Sequence, residues 1–113
     1  MRTKQSAILP PSLGVQAVQL GAALIRLRHA RRVKQSEAAL RAAISRATAQ
    51  RLERGDAGVA IGIALRYLDA IAPGMSLLTL LSEDDPSLIA LDERLRAQRV
   101  RDLTSAELKA LDF

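Results

Sequence analysis

The chain has 113 residues, enough for one compact domain and a short appendage. It contains no cysteine and one histidine, which excludes disulfide bonds, thiolate catalysis and cysteine-based metal sites. The net charge of +5 is uneven, because residues 1–54 hold 11 Lys or Arg against 2 acidic residues, whereas residues 55–113 hold 6 against 10. A basic first half favours a polyanionic partner. Since Tyr67 and Phe113 are the only aromatic residues, stacking on single-stranded bases is disfavoured, and duplex DNA is the expected polyanion.

No apolar run approaches the roughly 20 residues that a transmembrane helix needs. The first twelve residues, MRTKQSAILPPS, also lack the apolar run and the cleavage site of a secretory signal. We therefore expect a cytoplasmic protein that does not bind membranes. With His29 as the one histidine and no cysteine, we also expect no metal and no cofactor.

The first half of the chain predicts a flexible arm followed by three helices. Residues 1–11 are polar and end in Pro10-Pro11, which is typical of a mobile N-terminal arm. Ser12 is expected to cap a first helix that reaches about residue 32. Its core-facing stripe, at helical spacing, consists of Leu13, Ala17, Leu20, Leu24 and Leu27. A second helix is predicted over residues 35–41, and a third over residues 45–54 with Ser45 as N-cap and Gly55 in the left-handed conformation that ends it.

The second half also predicts helices only. A fourth helix is expected over residues 60–72, where Ile61, Leu65, Leu68 and then Ile71 or Ala72 recur at helical spacing. A short fifth helix is expected over residues 76–81. Residues 83–86, Glu-Asp-Asp-Pro, predict an exposed acidic linker. Ser87 is expected to cap a sixth helix to about residue 99, and residues 104–107 form a capping box that opens a last short helix. The predicted fold class is all-α.

The predicted third helix has two different faces. At about 100° per residue, one face of this helix is polar and basic, and it consists of Arg46, Ala47, Gln50, Arg51 and Arg54. The opposite face carries Thr48, Ala49 and Leu52. Residues 33–55 therefore predict two short helices and a tight turn, in which the second helix packs by one face and offers the other to a DNA groove.

These residues resemble the lambda-repressor-like helix-turn-helix regulators, also called the Xre or Cro type. The resemblance covers about residues 20–81 and is carried by LGAALIRLRHARRVKQ, SEAALRAAISRATAQRLERG and IALRYLDAI. Its most specific elements are Gln35, Ala39, Ile44, Leu52 and Glu53-Arg54-Gly55 at the family's spacing. It implies a five-helix lambda-repressor-like DNA-binding domain over residues 12–82, preceded by the arm and followed by a short helical C-terminal extension over residues 83–113.

The resemblance also implies roles for individual residues. The residues expected to read bases are Arg46, Ala47, Gln50 and Arg51. The side-chain chemistry agrees, because arginine can donate two hydrogen bonds to guanine O6 and N7, glutamine can pair with adenine N6 and N7, and an alanine methyl can contact a thymine methyl.

Phosphate contacts are expected from Gln35, which would also brace the third helix, and from Ser45 at the N-terminus of that helix. Lys34 and Arg54 are further candidates for phosphate contacts. Arg28 and Glu53 are expected to form a structural ion pair between the first helix and the end of the third. Five basic residues flank the helix-turn-helix segment: Arg26, Arg31, Arg32, Lys34 and Arg41. Some of them are expected to touch phosphates, and the others to lie on an ordinary solvated surface.

Two positions depart from the family pattern. Ala43 occupies the turn position that is usually glycine, and alanine in a left-handed conformation costs about 1 kcal/mol relative to glycine. Ala49 occupies a core position that is usually valine or isoleucine, which leaves less apolar area on the packing face of the third helix. Together they predict an altered geometry between the second and third helices, or a domain that depends on its C-terminal segment for stability.

The roles of two segments outside the helix-turn-helix segment, the N-terminal arm and the C-terminal extension, are not determined by the pattern. Arg2 and Lys4 could enter a minor groove, although simple disorder of the arm is the more ordinary expectation. The C-terminal extension presents Leu88, Leu91 and Leu95, which could complete the core, pair two subunits or receive a partner protein. Self-association is favoured, because dimeric helix-turn-helix proteins bind two DNA half-sites about one helical turn apart. A homodimer is therefore expected.

The leading hypothesis is a sequence-specific regulator of transcription that binds double-stranded DNA, acting as a repressor or autoregulator. One alternative is a HipB-like antitoxin that binds DNA and also covers a toxin partner protein. A second alternative is a helical protein-interaction module that has lost DNA binding. An enzyme is not expected, because the acidic cluster of residues 83–85 lies in a linker and no His, Cys or Ser constellation supports catalysis.

Overall fold

The computed structural model describes residues 8–82 and 85–111, with side chains described through residue 103. Arg2, Lys4, Glu83 and Asp84, which the sequence singled out, lie outside the described residues. The described part contains helices and connecting loops without a strand, so the predicted all-α class is confirmed. In chain order, the helices are α1 Pro11–Ala30, α2 Gln35–Arg41, α3 Arg46–Glu53, α4 Ile61–Ile71, α5 Leu77–Ser82 and α6 Pro86–Leu111.

The predicted bounds of α2 and α3 agree closely with the structure, whereas the start of α1 differs. Helix α1 begins at Pro11 after Pro10, and no side chain caps it, so the expected N-cap Ser12 lies inside the helix. Proline suits the first helical position because its missing N–H has no partner there in any helix. For the described residues, no helix is both long and apolar enough to cross a bilayer.

Helices α1, α2 and α3 all end in the same hydrogen-bonded turn. In each, the residue after the C-cap has a positive φ: 57° at Arg32, 57° at Ala43 and 86° at Gly55. The next amide then returns to the helix, as in the bond from Ile44 N to the Ala39 carbonyl at 3.0 Å. This is the Schellman motif, which satisfies carbonyls that the helix leaves without partners. The left-handed conformation of Ala43 was expected from the resemblance, whereas that of Arg32 was not predicted.

The core lies between the C-terminal half of α1 and helices α2 to α6. Its largest fully buried side chains are Tyr67, Leu24, Leu27, Leu68 and Leu80. Alanine supplies almost half of the described core, including Ala38 and Ala39 on α2 and Ala49 on α3. Small side chains let helix backbones approach closely, so α2 and α3 pack tightly with little apolar volume between them. Ala49 is completely buried, as its predicted place on the packing face requires.

Glycine allows α1 to approach the end of α3. A Cβ atom at Gly21 would lie 2.5 Å from the Glu53 carbonyl oxygen, and one at Gly55 would lie 2.4 Å from the Cα of Val18. Both distances are shorter than any real Cβ contact, so neither position accepts a larger residue without backbone movement. Two helices that cross this closely place the side chains of α1 within reach of the last turn of α3.

Two apolar stripes are only partly buried, which corrects the predicted core. Leu24 and Leu27 are buried, but Leu13 is 45% exposed, and Val15 beside it in the first turns of α1 is also exposed. On α4, Ile61 is 69% exposed and Leu65 is also exposed. The buried face of α4 instead carries Ala64, Tyr67, Leu68 and Ile71. The same sequence spacing fits both faces, and packing against α2 selects the second.

The C-terminal extension is one continuous helix, which corrects the prediction of two. Helix α6 runs through residues 100–104 without interruption and spans about 39 Å at 1.5 Å per residue. Asp85, not Ser87, caps it, because the Asp85 carboxylate accepts a hydrogen bond from the Ser87 amide at 3.0 Å. Asp85 is also buried and bonded to Arg31, so this part of the linker is not exposed as predicted.

Replacing Ala43 with glycine is expected to stabilise the protein by about 1 kcal/mol, because glycine adopts a positive φ without a Cβ clash. Ala43 is exposed, so little packing is lost. Ala42→Gly is the matched control, since Ala42 lies in the same turn but has a φ of −79° and is buried. Glycine at that position should destabilise by at least about 1 kcal/mol. Urea denaturation measures both changes, and an unchanged or lowered stability of Ala43→Gly would contradict the assigned strain.

Candidate nucleic-acid interface

Helix α3 exposes one face and buries the other, as its sequence pattern predicts. The side chains on its exposed face are Arg46, Ala47, Gln50, Arg51 and Arg54. The opposite side is buried through Ala49, Leu52 and Glu53. An eight-residue helix is too short to be stable alone, so this buried side holds the exposed face in place.

The N-terminus of α3 is capped by Ser45. The Ser45 side-chain oxygen accepts a hydrogen bond from the Thr48 amide at 3.0 Å and lies 2.9 Å from the Thr48 hydroxyl. Ser45 was predicted to contact a phosphate, and its structural role is to define where α3 begins. The remaining amides of the first turn and the positive end of the helix dipole favour an anion at this point. Lys34, at the N-cap of α2, is also exposed.

The last residue of α3, Glu53, is a buried carboxylate with four donors. Arg28 from α1 donates through Nε to Oε2 at 2.8 Å and through Nη2 to Oε1 at 3.0 Å, which is the ion pair expected from the sequence. Gln35 from α2 donates to Oε1 at 3.1 Å, and the hydroxyl of Tyr67 from α4 donates to Oε2. Each oxygen therefore accepts two hydrogen bonds. Breaking such a buried pair by removing one partner typically costs several kcal/mol.

Gln35 connects this buried carboxylate to the exposed face of α3. Its amide nitrogen donates to Glu53, while its carbonyl oxygen accepts from Arg46 Nε at 3.4 Å. The side chain therefore braces the first turn of α3, as the resemblance implied. The guanidinium of Arg46 is thus held at Nε, and its two terminal nitrogens carry the donors that a base edge or a phosphate could accept.

Tyr67 is a site residue that sequence reasoning missed. It is fully buried on α4, and burial together with the adjacent Glu53 carboxylate raises its pKa far above the ordinary value of 10.0. The hydroxyl stays protonated and supplies the fourth hydrogen bond to Glu53. A lone tyrosine on the apolar face of a core helix was the available signal, because a buried tyrosine hydroxyl requires a partner.

Arg51 has a carboxylate partner that the sequence pattern did not predict. Its Nε donates to Asp56 Oδ2 at 2.8 Å, and the other oxygen of Asp56 accepts from the Gly58 amide at 2.7 Å. The hydrogen bond and charge of Arg51, together with the Gly58 amide, lower the pKa of Asp56. The candidate base-reading residue Arg51 is thus tied to the loop after α3.

The flanking arginines mostly face carboxylates of the same chain. Arg26 Nη2 lies 2.6 Å from Asp92 of α6, and Arg31 Nη2 lies 3.0 Å from Asp85. The pKa of Asp85 is lowered, because its hydrogen bonds with Ser87 and the charge of Arg31 outweigh the opposing effect of burial. These two arginines hold α6 against α1. This contact assigns them a structural role that their position in the sequence did not indicate.

The arrangement combines hydrogen-bond donors with positive charge on one exposed helical face. Arg46, Gln50 and Arg51 can each present two donors or a donor and an acceptor in a plane, which is the geometry that base edges require. Arg54 adds a cation at the C-cap of α3. Such a face can bind phosphates and base edges of a nucleic acid groove.

The chain was compared with models of known protein families, with curated proteins and with solved structures, and none of them matches it. Its function is therefore inferred from the sequence pattern and from the contacts that surround α3.

Tyr67 is the only tyrosine and tryptophan is absent, so the ultraviolet absorbance of tyrosinate reports on this residue alone. We expect Tyr67 to stay neutral at about pH 11 in the folded protein, whereas the denatured chain ionises near pH 10. Since the unfolded chain then loses its proton first, the stability that Tyr67 contributes is complete below about pH 10 and declines as the pH rises. Ionisation near pH 10 in a protein whose circular dichroism is still helical would contradict the buried contact with Glu53.

Proposed function

We propose that this protein is a sequence-specific regulator of transcription that binds double-stranded DNA and acts as a repressor or autoregulator. In this proposal α3 lies in the major groove, and Arg46, Ala47, Gln50 and Arg51 contact base edges. The protein would act in the cytoplasm as a homodimer. The observation that carries the proposal is the exposed face of α3, defined by those four residues and Arg54, on a helix whose other side is buried.

The rigidity of this face supports the proposal. The C-terminal end of α3 is held through Glu53 by residues of α1, α2 and α4, and its N-terminal end by the Ser45 cap. A helix held at both ends presents its exposed side chains in one orientation. Base recognition depends on such orientation, because a bidentate contact tolerates little angular error.

The distribution of charge supports a phosphate backbone as the partner. Arg46, Arg51 and Arg54 on α3 and Lys34 at the N-cap of α2 are all exposed. They lie in the half of the chain that holds 11 of the 17 basic residues. We propose that Lys34, Gln35, Ser45 and Arg54 contact phosphates beside the groove. Binding of this kind weakens steeply as the salt concentration rises, because phosphate contacts release counterions.

The direct test is fluorescence anisotropy with duplex DNA from upstream of the protein's own coding region, compared with scrambled duplex, across a salt series. A preference of about a thousandfold or more for the upstream DNA is expected, because that range separates specific from non-specific binding. The Arg46→Ala/Arg51→Ala double variant should lose this preference. Both residues are exposed, so the variant should keep its fold.

The matched control is Arg94→Ala/Arg101→Ala, which removes the same charge from exposed positions on one side of α6. At about 100° per residue this side lies opposite to Leu95 and Leu103, the leucines proposed below as the dimer surface. This variant should keep the preference for upstream DNA. If the two double variants lost the preference for upstream DNA equally, base recognition by α3 would be contradicted, and only general electrostatic binding would remain. An absence of binding at low salt would instead favour the protein-interaction module.

We further propose that α6 mediates the homodimer. Residues 93–103 of this helix are exposed, and they include the apolar side chains Leu95 and Leu103 two helical turns apart. Exposed leucines on a helix that leaves the core are typical of a surface for a second helix. A dimer would place two copies of α3 on two half-sites of the DNA. This raises the affinity, because one DNA-binding domain of this size binds weakly on its own.

Replacing Leu95 and Leu103 together with glutamate is expected to give a monomer, as measured by light scattering, at concentrations where the wild type is dimeric. The affinity for the upstream DNA should also fall, because a monomer contacts only one half-site. Leu78→Glu is the matched control, since Leu78 is an exposed leucine on α5. Dissociation by the α5 variant alone would place the interface on α5. A wild type that is monomeric at all concentrations would contradict the dimer and favour a different partner, such as a toxin.

A further inference from the structure

We propose that Asp56 is a positioning residue that sets the base specificity of Arg51. This inference rests on the proposed function. Arg51 lies in the last turn of α3, and Asp56 follows the left-handed Gly55 that ends the helix. The Asp56 amide donates to the Arg51 carbonyl at 3.0 Å, and the Asp56 carboxylate accepts from Arg51 Nε at 2.8 Å. The two residues are therefore linked through both main chain and side chain.

Asp56 is itself held in place. Its Oδ1 accepts the Gly58 amide at 2.7 Å, which closes a turn between side chain and backbone two residues on. A Cβ atom at Gly58 would lie 3.0 Å from this oxygen and 3.7 Å from Arg51 Nη2. Glycine at this position therefore spares the Asp56 carboxylate a tight contact, whereas the distance to the guanidinium is an ordinary one. The carboxylate that binds Arg51 therefore has a defined direction.

This contact restricts how Arg51 can bind a base. Arginine has five N–H groups, and it can approach guanine through its two terminal nitrogens or through Nε and one terminal nitrogen. With Nε donated to Asp56, only the terminal fork remains for guanine O6 and N7. The side chain also has fewer conformations to lose on binding, since the ion pair already orders it.

Asp56 also places a negative charge beside the exposed face of α3. The Asp56 side chain is partly exposed, and it is ionised at neutral pH, as an ordinary aspartate is. A carboxylate at this place repels phosphates, so it weakens binding to every sequence. A correctly placed guanine compensates by accepting both bonds from Arg51. Because this repulsion acts on all sequences alike, the discrimination itself comes from the fixed direction of the Arg51 terminal nitrogens, which only a correctly placed guanine can pair with.

The test uses Asp56→Asn, which removes the charge but keeps an oxygen for the Gly58 amide. A duplex is first selected from a randomised library by the wild-type protein, and each base pair is then replaced in turn. We expect Asp56→Asn to bind scrambled duplex more tightly and to lose about tenfold in preference at one guanine. Asp69→Asn is the matched control, because Asp69 on α4 accepts the Gly74 amide at 3.0 Å and its replacement changes the net charge equally.

The way in which Asp56→Asn changes DNA binding shows whether Asp56 positions Arg51 or only supports the loop. Damage to the loop would weaken binding to selected and scrambled duplexes together and lower the melting temperature, which would overturn the inference. Wild-type discrimination retained in Asp56→Asn would also overturn it.

A measurement without DNA separates this inference from the proposed function. In the wild type, the Arg51 Nε proton should give a slowly exchanging NMR resonance that disappears in Asp56→Asn. Its absence from the wild type would contradict the ion pair itself. If the resonance is present but the wild type selects no sequence from the library, the ion pair exists, and the proposed function and the specificity role both fail.

Discussion

The buried carboxylate of Glu53 is the contact on which the exposed face of α3 depends. It accepts hydrogen bonds from Arg28 of α1, Gln35 of α2 and Tyr67 of α4, so four helices meet at one charged group. A buried charge is costly unless its partners satisfy it completely. Here each oxygen has two donors, and the packing of α1, α2 and α4 is correct only when all of them reach Glu53. The ionic contact thus favours one relative arrangement of the helices, an effect that apolar packing among small alanines would provide poorly.

The two arginines proposed to read bases share a structural principle. Arg46 donates its Nε to Gln35, and Arg51 donates its Nε to Asp56, so each side chain is ordered at one nitrogen. Gln35 leads directly to Glu53, whereas Asp56 leads to the loop after Gly55. The first arginine is therefore coupled to the core and the second to the turn that ends α3. This difference makes the second contact the easier one to alter without unfolding the domain.

Much of the candidate site was predictable from the sequence, because its signals are local. Ser45 and Gly55 mark the two ends of α3, and its division into a buried and an exposed face follows from the helical repeat. The positive φ at Ala43 was expected from the resemblance to a family, which usually has glycine at this position, and the structure has one. The contact between Arg28 and Glu53 came from a resemblance to a family, not from periodicity. Leu65 and Leu13, by contrast, were placed in the core by the same periodicity and are exposed, since spacing alone does not say which turns other helices cover.

The sequence by itself determined the helical class, the bounds of α2 and α3 and the division of α3 into two faces. These follow from backbone propensities, caps and periodicity, which act within a few residues. Only the tertiary structure decided that Tyr67 completes the shell of Glu53, that Asp85 is buried against Arg31, and that α6 continues as one helix. Each of the first two contacts joins residues more than ten positions apart, and whether such groups meet depends on how closely the helices cross. That distance is set by side-chain volume across the whole core, including glycine where α1 touches α3.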